Sequence, residues 1–100
     1  MARHETLALA DKTWTQLTNA DVEAITFQNQ ADDDLYVVVQ NGSTTPTNLD
    51  GALVYPPKFG EAQRLLRDLA PGVTTPNRLF AYLVKESGSS GPAEVFVSHA

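Results

Sequence analysis

Residues 78–100 read RLFAYLVKESGSSGPAEVFVSHA, and this stretch decides the fold. Leu79, Ala81 and Leu83 alternate with Phe80, Tyr82 and Val84, so Arg78 to Lys85 is apolar on both of its faces. A strand turns successive side chains to opposite sides, and a half-exposed strand carries one polar face. This segment has none. Cover is therefore needed on both sides, from a second layer of the same domain or from another subunit. A Gly/Ser loop, ESGSSGP over 86–92, leads into a second strand that runs to the final residue, and the whole predicts a terminal hairpin.

Working back from there, Leu35 to Gln40 (LYVVVQ) is rich in β-branched and aromatic residues and reads as a second strand without a polar face. Val22 to Asn29 precedes it, with Ile25 and Phe27 opposite Thr26 and Gln28. The polar connection Gln30 to Asp34 has hairpin length. Shorter strands are predicted at Thr6 to Ala10, Trp14 to Leu17 and Ala52 to Tyr55, the last ended by Pro56-Pro57 because proline cannot donate to a ladder. Asn41 to Asp50 is a loop opened by the Asn41-Gly42 turn signal. Glu61 to Leu69 places Ala62, Leu65, Leu66 and Leu69 on one helical stripe and is followed by Pro71-Gly72, which predicts a short helix. Six to seven short strands at this spacing predict an all-β protein. The expected architecture is a small antiparallel β-sandwich of jelly-roll or immunoglobulin-like type, with that one helix near 61–69.

One hundred residues, 42% hydrophobic and 19% charged, fit a single domain spanning 1–100. No run reaches the eighteen or so apolar residues that cross a bilayer, so no membrane partner is expected. The opening MARHETLALADKTW contains acidic residues and no sustained apolar stretch, unlike a secretory signal. There is no cysteine, which excludes disulfides and thiolate metal sites. The net charge is −5, and Arg3, Lys12, Lys58, Arg64, Arg67, Arg78 and Lys85 are dispersed. Nucleic-acid binding needs concentrated positive charge, so it is not expected.

Residues able to carry chemistry are few. His4 and His99 lie near opposite termini and could meet in a sandwich, with Glu5 or Glu94, but two histidines make a poor metal site and solvent-facing side chains are the expected outcome. Ser98 and His99 are neighbours on a strand and point to opposite faces, so they do not form a nucleophile–base pair. Asp32, Asp33 and Asp34 lack the alternating ligand pattern of a calcium loop and read as a solvated turn. Among Asp21, Glu23, Glu61 and Asp68 nothing in the spacing pairs two carboxylates for glycoside hydrolysis. Trp14, Tyr36, Tyr55 and Tyr82 could build a sugar-stacking platform, although core packing is the commoner use of aromatics in a small domain. No catalytic residue, metal or cofactor is expected.

A sandwich of this size buries about two-thirds of its unfolded surface, so two strands covered on both faces are hard to house in one chain. Apolar outer faces point to a subunit interface. Tyr36, Val38, Phe80 and Tyr82 are the candidate contact residues of a homo-oligomer.

The ordered series TWTQLTNADVEAITFQNQ (13–30), GALVYPP (51–57) and RLFAYLV…VFVSHA (78–84 and 95–100) resembles small accessory virion proteins of tailed bacteriophages and gene transfer agents. These decorate the head or form the base of head fibres and spikes. The resemblance implies a non-enzymatic structural protein, assembled in the bacterial cytoplasm into symmetric oligomers, often trimers. It would then dock on a capsid or other virion proteins and reside in the virion. It brings no active site. Two alternatives remain: a carbohydrate-binding, lectin-like module using Trp14 and the tyrosines, and a tail or baseplate adaptor.

Overall fold

The computed structural model describes residues 2–85 and 93–100; the Gly/Ser loop expected at 86–92 lies outside the described residues. Among the described residues eight strands form in chain order: β1 (Arg3–Ala8), β2 (Thr15–Gln16), β3 (Ala24–Asn29), β4 (Leu35–Gln40), β5 (Leu53–Tyr55), β6 (Gly60–Leu65), β7 (Arg78–Leu83) and β8 (Glu94–His99). They make two four-stranded antiparallel sheets, ordered β1-β8-β3-β6 and β2-β7-β4-β5. First pairs with last, second with seventh, third with sixth and fourth with fifth. This is the rolled double Greek key of a jelly-roll, which removes the immunoglobulin-like alternative.

That order corrects two local expectations. β7 and β8 were expected to form a hairpin but lie in different sheets, and so do β3 and β4. Among the described residues, β4 and β5 are the only strands adjacent in sequence that pair. The connection over 30–34 is an arch that carries the chain across the core. A period-two pattern states which face a side chain takes, and says nothing of which strand lies alongside.

The core fills the space between the sheets. Ile25 and Phe27 of β3 and Val95 and Val97 of β8 face Leu35, Val37 and Val39 of β4 and Leu79, Ala81 and Leu83 of β7, all buried. Each large aliphatic or aromatic side chain so buried stabilises the fold by about 1.5–3 kcal/mol.

A buried polar residue fixes the arch. Asn29, 0% exposed, donates from Nδ2 to the carbonyls of Asp33 and Tyr55, both at 2.9 Å. Its Oδ1 accepts from the Ala31 amide at 2.9 Å. The side chain thus ties the end of β3 to the turn and to β5. Asn29→Ala is expected to cost about 3 kcal/mol, because a buried donor and two carbonyls lose their partner. Denaturant unfolding would register this, and a loss below about 1 kcal/mol would contradict it.

The helix expected over 61–69 shrinks to one turn, α1 (Leu66–Leu69), and the residues before it form β6. A short isolated helix gains little, whereas β6 pairs its backbone with the open edge of β3. Gly60 makes this pairing possible, since a Cβ there would lie 1.9 Å from the Phe27 carbonyl oxygen. Leu66 still reaches the core at 0% exposure, and its amide donates to the Glu23 carbonyl at 2.9 Å. Among the described residues no helix is long and apolar enough to cross a membrane, which does not bear on β-barrels.

Candidate functional site

The outer faces of the two sheets differ in kind. On the β1-β8-β3-β6 sheet the outward positions are mostly polar: His4 and Thr6, Phe96 and Ser98, Thr26 and Gln28. Gln28 donates to the Lys58 carbonyl at 3.0 Å, and the His4 ring meets Phe96 edge-on at 5.2 Å. On the other sheet the outward side chains of β4 and β7 are Tyr36, Val38 and Gln40, and Arg78, Phe80 and Tyr82.

The four candidate contact residues all lie on this second outer face, in two cross-strand rows. Val38 stands opposite Phe80, with Gln16 beyond it on β2. Val38 is 8% and Phe80 2% exposed, so the chain covers both of them itself. The inference that their apolarity calls for a second subunit is corrected at these two positions. The Gln40 amide, on the same face, donates to the Thr44 carbonyl and holds the 41–52 connection beside this row.

The second row remains partly open. Tyr36 stands opposite Tyr82 on one side and Val54 on the other. Trp14, just before β2, packs on Tyr82 with ring centroids 4.9 Å apart and planes at 44°. Trp14, Tyr36 and Tyr82 are half-buried, and Val54 is 51% exposed. The stripe Trp14–Tyr82–Tyr36–Val54 thus crosses the whole sheet on a rigid, hydrogen-bonded base. Trp14 and Val54 join it through strand register, which the sequence pattern does not encode.

Tyr55 does not join them. It is buried in the core, its ring meets Phe27 edge-on at 5.0 Å, and its hydroxyl donates to Glu61 Oε2 at 3.0 Å. Burial first, and then the Glu61 carboxylate, push the Tyr55 phenol well above its ordinary value of 10. A phenol with a raised folded-state pKa stabilises the fold fully below pH 10, and this contribution is lost as pH rises beyond that. Stability should therefore fall by up to about 1.4 kcal/mol per pH unit above pH 10. Tyr55→Phe should flatten this slope in denaturant unfolding at high pH; an unchanged slope would contradict the assignment.

The remaining chemistry-bearing residues are dispersed. β1 and β8 pair, which does bring the termini together, but His4 faces outward and His99 inward. Glu5 pairs with Arg3 at 3.3 Å, and Glu94 sits at the far end of β8. Among the described residues no three His, Asp or Glu side chains converge to hold a metal ion. Asp32 and Asp34 are exposed on the arch and Asp33 is buried there. Asp21 accepts from Arg78 Nε at 3.0 Å, Glu61 is shared by Tyr55 and Arg64, and Asp68 is exposed on α1.

One pairing escaped the sequence reading. Ser98 does meet a histidine, but it is His4 across the strand pair, with Nδ1 3.0 Å from Oγ. Catalysis by such a pair also needs donors poised for an oxyanion. Ser98 lies mid-strand between β1 and β3, where the ladder occupies its backbone. The contact is a cross-strand hydrogen bond of the sheet surface.

No protein-family model, no curated protein and no solved structure matches the chain.

Proposed function

We propose that the chain is a non-enzymatic structural protein of a phage-like particle. In this reading it forms a symmetric oligomer and docks on the capsid exterior, as a decoration protein or the base of a head fibre or spike. The observation that carries the proposal is the contrast between the outer faces, one mostly polar and one crossed by Trp14, Tyr82, Tyr36 and Val54. A stripe of aromatic and aliphatic side chains on a rigid sheet suits burial against protein, where Tyr and Trp contribute most per residue. The domain measures 39 × 27 × 19 Å, so its broad face has the extent that a standard interface of about 800 Å² per partner requires. The ordered motifs that resemble accessory virion proteins supply the setting, and the jelly-roll is a fold that such shells use. Fold alone leaves lectins equally open.

The lectin-like reading draws less support from the geometry. Tyr55 is in the core, and Trp14 and Tyr82 spend part of their ring surface on each other. Co-sedimentation with purified capsids but not with tails is the expected result. Binding to tails alone would favour the adaptor, and glycan-array binding abolished by Trp14→Ala would favour the lectin.

A further inference from the structure

Asn41-Gly42 is the one place in the chain where glycine follows asparagine. Such a pair can react with itself. The asparagine side-chain amide and the next backbone nitrogen can close a five-membered ring, and glycine has no Cβ to obstruct the closure. The pair follows directly on β4, which ends at Gln40. Asn41 is exposed and Gly42 half-buried, so water reaches both.

Four hydrogen bonds clamp this turn onto the segment 74–77. Asn41 Nδ2 donates to the Thr74 carbonyl at 3.1 Å and to the Thr75 carbonyl at 2.9 Å. The Gly42 amide donates to Asn77 Oδ1 at 2.8 Å. The Asn77 amide in turn donates to the Gln40 carbonyl at 2.9 Å. The first two bonds hold the Asn41 side chain on the 74–75 backbone and away from its own. The third keeps on the Gly42 nitrogen the proton that ring closure has to remove. The clamp is under strain. Thr75 is held at φ +48°, where a β-branched residue is an outlier. Such strain persists only where the surrounding structure over-determines it.

We propose that Asn41-Gly42 is a covalent self-modification site, with water as its co-reactant, that the clamp holds latent and whose product keeps the clamp open. Once the clamp opens, hydroxide takes the Gly42 amide proton and the nitrogen attacks Asn41 Cγ. An N–Cγ bond forms, the Cγ–Nδ2 bond breaks, and Nδ2 leaves as ammonia with a proton from water. Water then opens the cyclic imide at either carbonyl, giving aspartate or isoaspartate. Amide and water thus become carboxylate and ammonium, with nothing oxidised or reduced. A carboxylate at position 41 is an acceptor only, and would face the Thr74 and Thr75 carbonyls with no donor between them. Closure is then disfavoured, Thr75 relaxes, and the open state becomes permanent. Asn77 gates the reaction through the Gly42 amide. None of this chemistry rests on the docking reading.

The test follows ammonia release and peptide mass for the full chain incubated at mildly alkaline pH. Folded wild type should convert at least about tenfold more slowly than the same chain unfolded in guanidinium chloride, because only the opened fraction reacts. Folded Asn77→Ala, which leaves the Gly42 amide without its acceptor, should convert at least about threefold faster than wild type. Asn77→Asp keeps an acceptor oxygen and should stay slow. Asn41→Asp supplies one product directly. Its Gly42 and Asn77 amide hydrogens should exchange faster than in wild type, while the β4–β7 ladder stays protected. Asp50-Gly51 also forms isoaspartate but releases no ammonia, and peptide mass places the change at 41. The proposal is overturned if folded and unfolded wild type convert alike. It is overturned equally if folded Asn77→Ala converts no faster than wild type, or if Asn41→Asp keeps wild-type protection at both amides. The wild-type and Asn41→Asp measurements decide the matter should Asn77→Ala fail to fold.

Discussion

Gly60→Ala is expected to destabilise the domain by about 3 kcal/mol, through overpacking that no side-chain movement relieves. The added Cβ would lie 1.9 Å from the Phe27 carbonyl oxygen and 2.7 Å from the Gln28 Cα. Both obstacles are backbone of β3, which is itself held by β8 on its other side. The strain can be released only by moving β6 away from β3, which loosens the cover over Phe27 and Tyr55. For a domain of this length the melting temperature should drop by about 15 °C. Gly72→Ala is the control, since a Cβ there meets nothing within 4 Å and should change stability by less than about 0.5 kcal/mol. Equal midpoints for the two variants would contradict the close approach of β6 to β3.

Phe80→Asp and Val54→Asp should part company more widely still. Both residues occupy the outer face of the same sheet, and Phe80 heads the apolar run that made this face conspicuous. Phe80 is 2% exposed and Val54 51%. A carboxylate at position 80 would be buried without a partner, at a cost of about 5 kcal/mol. That approaches the whole stability of a small domain. A carboxylate at position 54 meets solvent and should leave the isolated fold within about 0.5 kcal/mol of wild type. Its effect falls on assembly, by setting a charge into the stripe with Tyr36, Tyr82 and Trp14. Circular dichroism on both variants separates the two outcomes. A folded Phe80→Asp, or an unfolded Val54→Asp, would reverse the placement of these residues.

How far the sequence foretold the molecule depends on what each pattern encodes. Leu35 to Gln40 formed a strand with the expected bounds, because β-branched and aromatic residues in a short run fit little else. The β-sandwich followed from strand number and spacing. Pairing did not, because Gln30 to Asp34 suits an arch as well as a hairpin. The role of Asn29 in choosing the arch depends on carbonyls of Asp33 and Tyr55 that meet only in three dimensions.

The site was half legible for similar reasons. The two-sided apolarity of Arg78 to Lys85 drew attention to one sheet face. It could not tell that Phe80 and Val38 are covered by their own chain while Tyr82 and Tyr36 stay partly open. Trp14 and Val54 entered the stripe through register alone. Core packing, the commoner use expected of the aromatics, holds for Tyr55, which lies inside, one position along β5 from exposed Val54.

The central claim is that the outer face of the β2-β7-β4-β5 sheet is an assembly surface. Sedimentation velocity of the wild type and of Val54→Asp at micromolar concentration tests it most directly. The account predicts a wild-type species at a defined multiple of the 10.8 kDa chain mass, and a folded Val54→Asp shifted to the monomer. A wild type that sediments as a monomer, or a Val54→Asp variant that assembles as fully as the wild type, would contradict it.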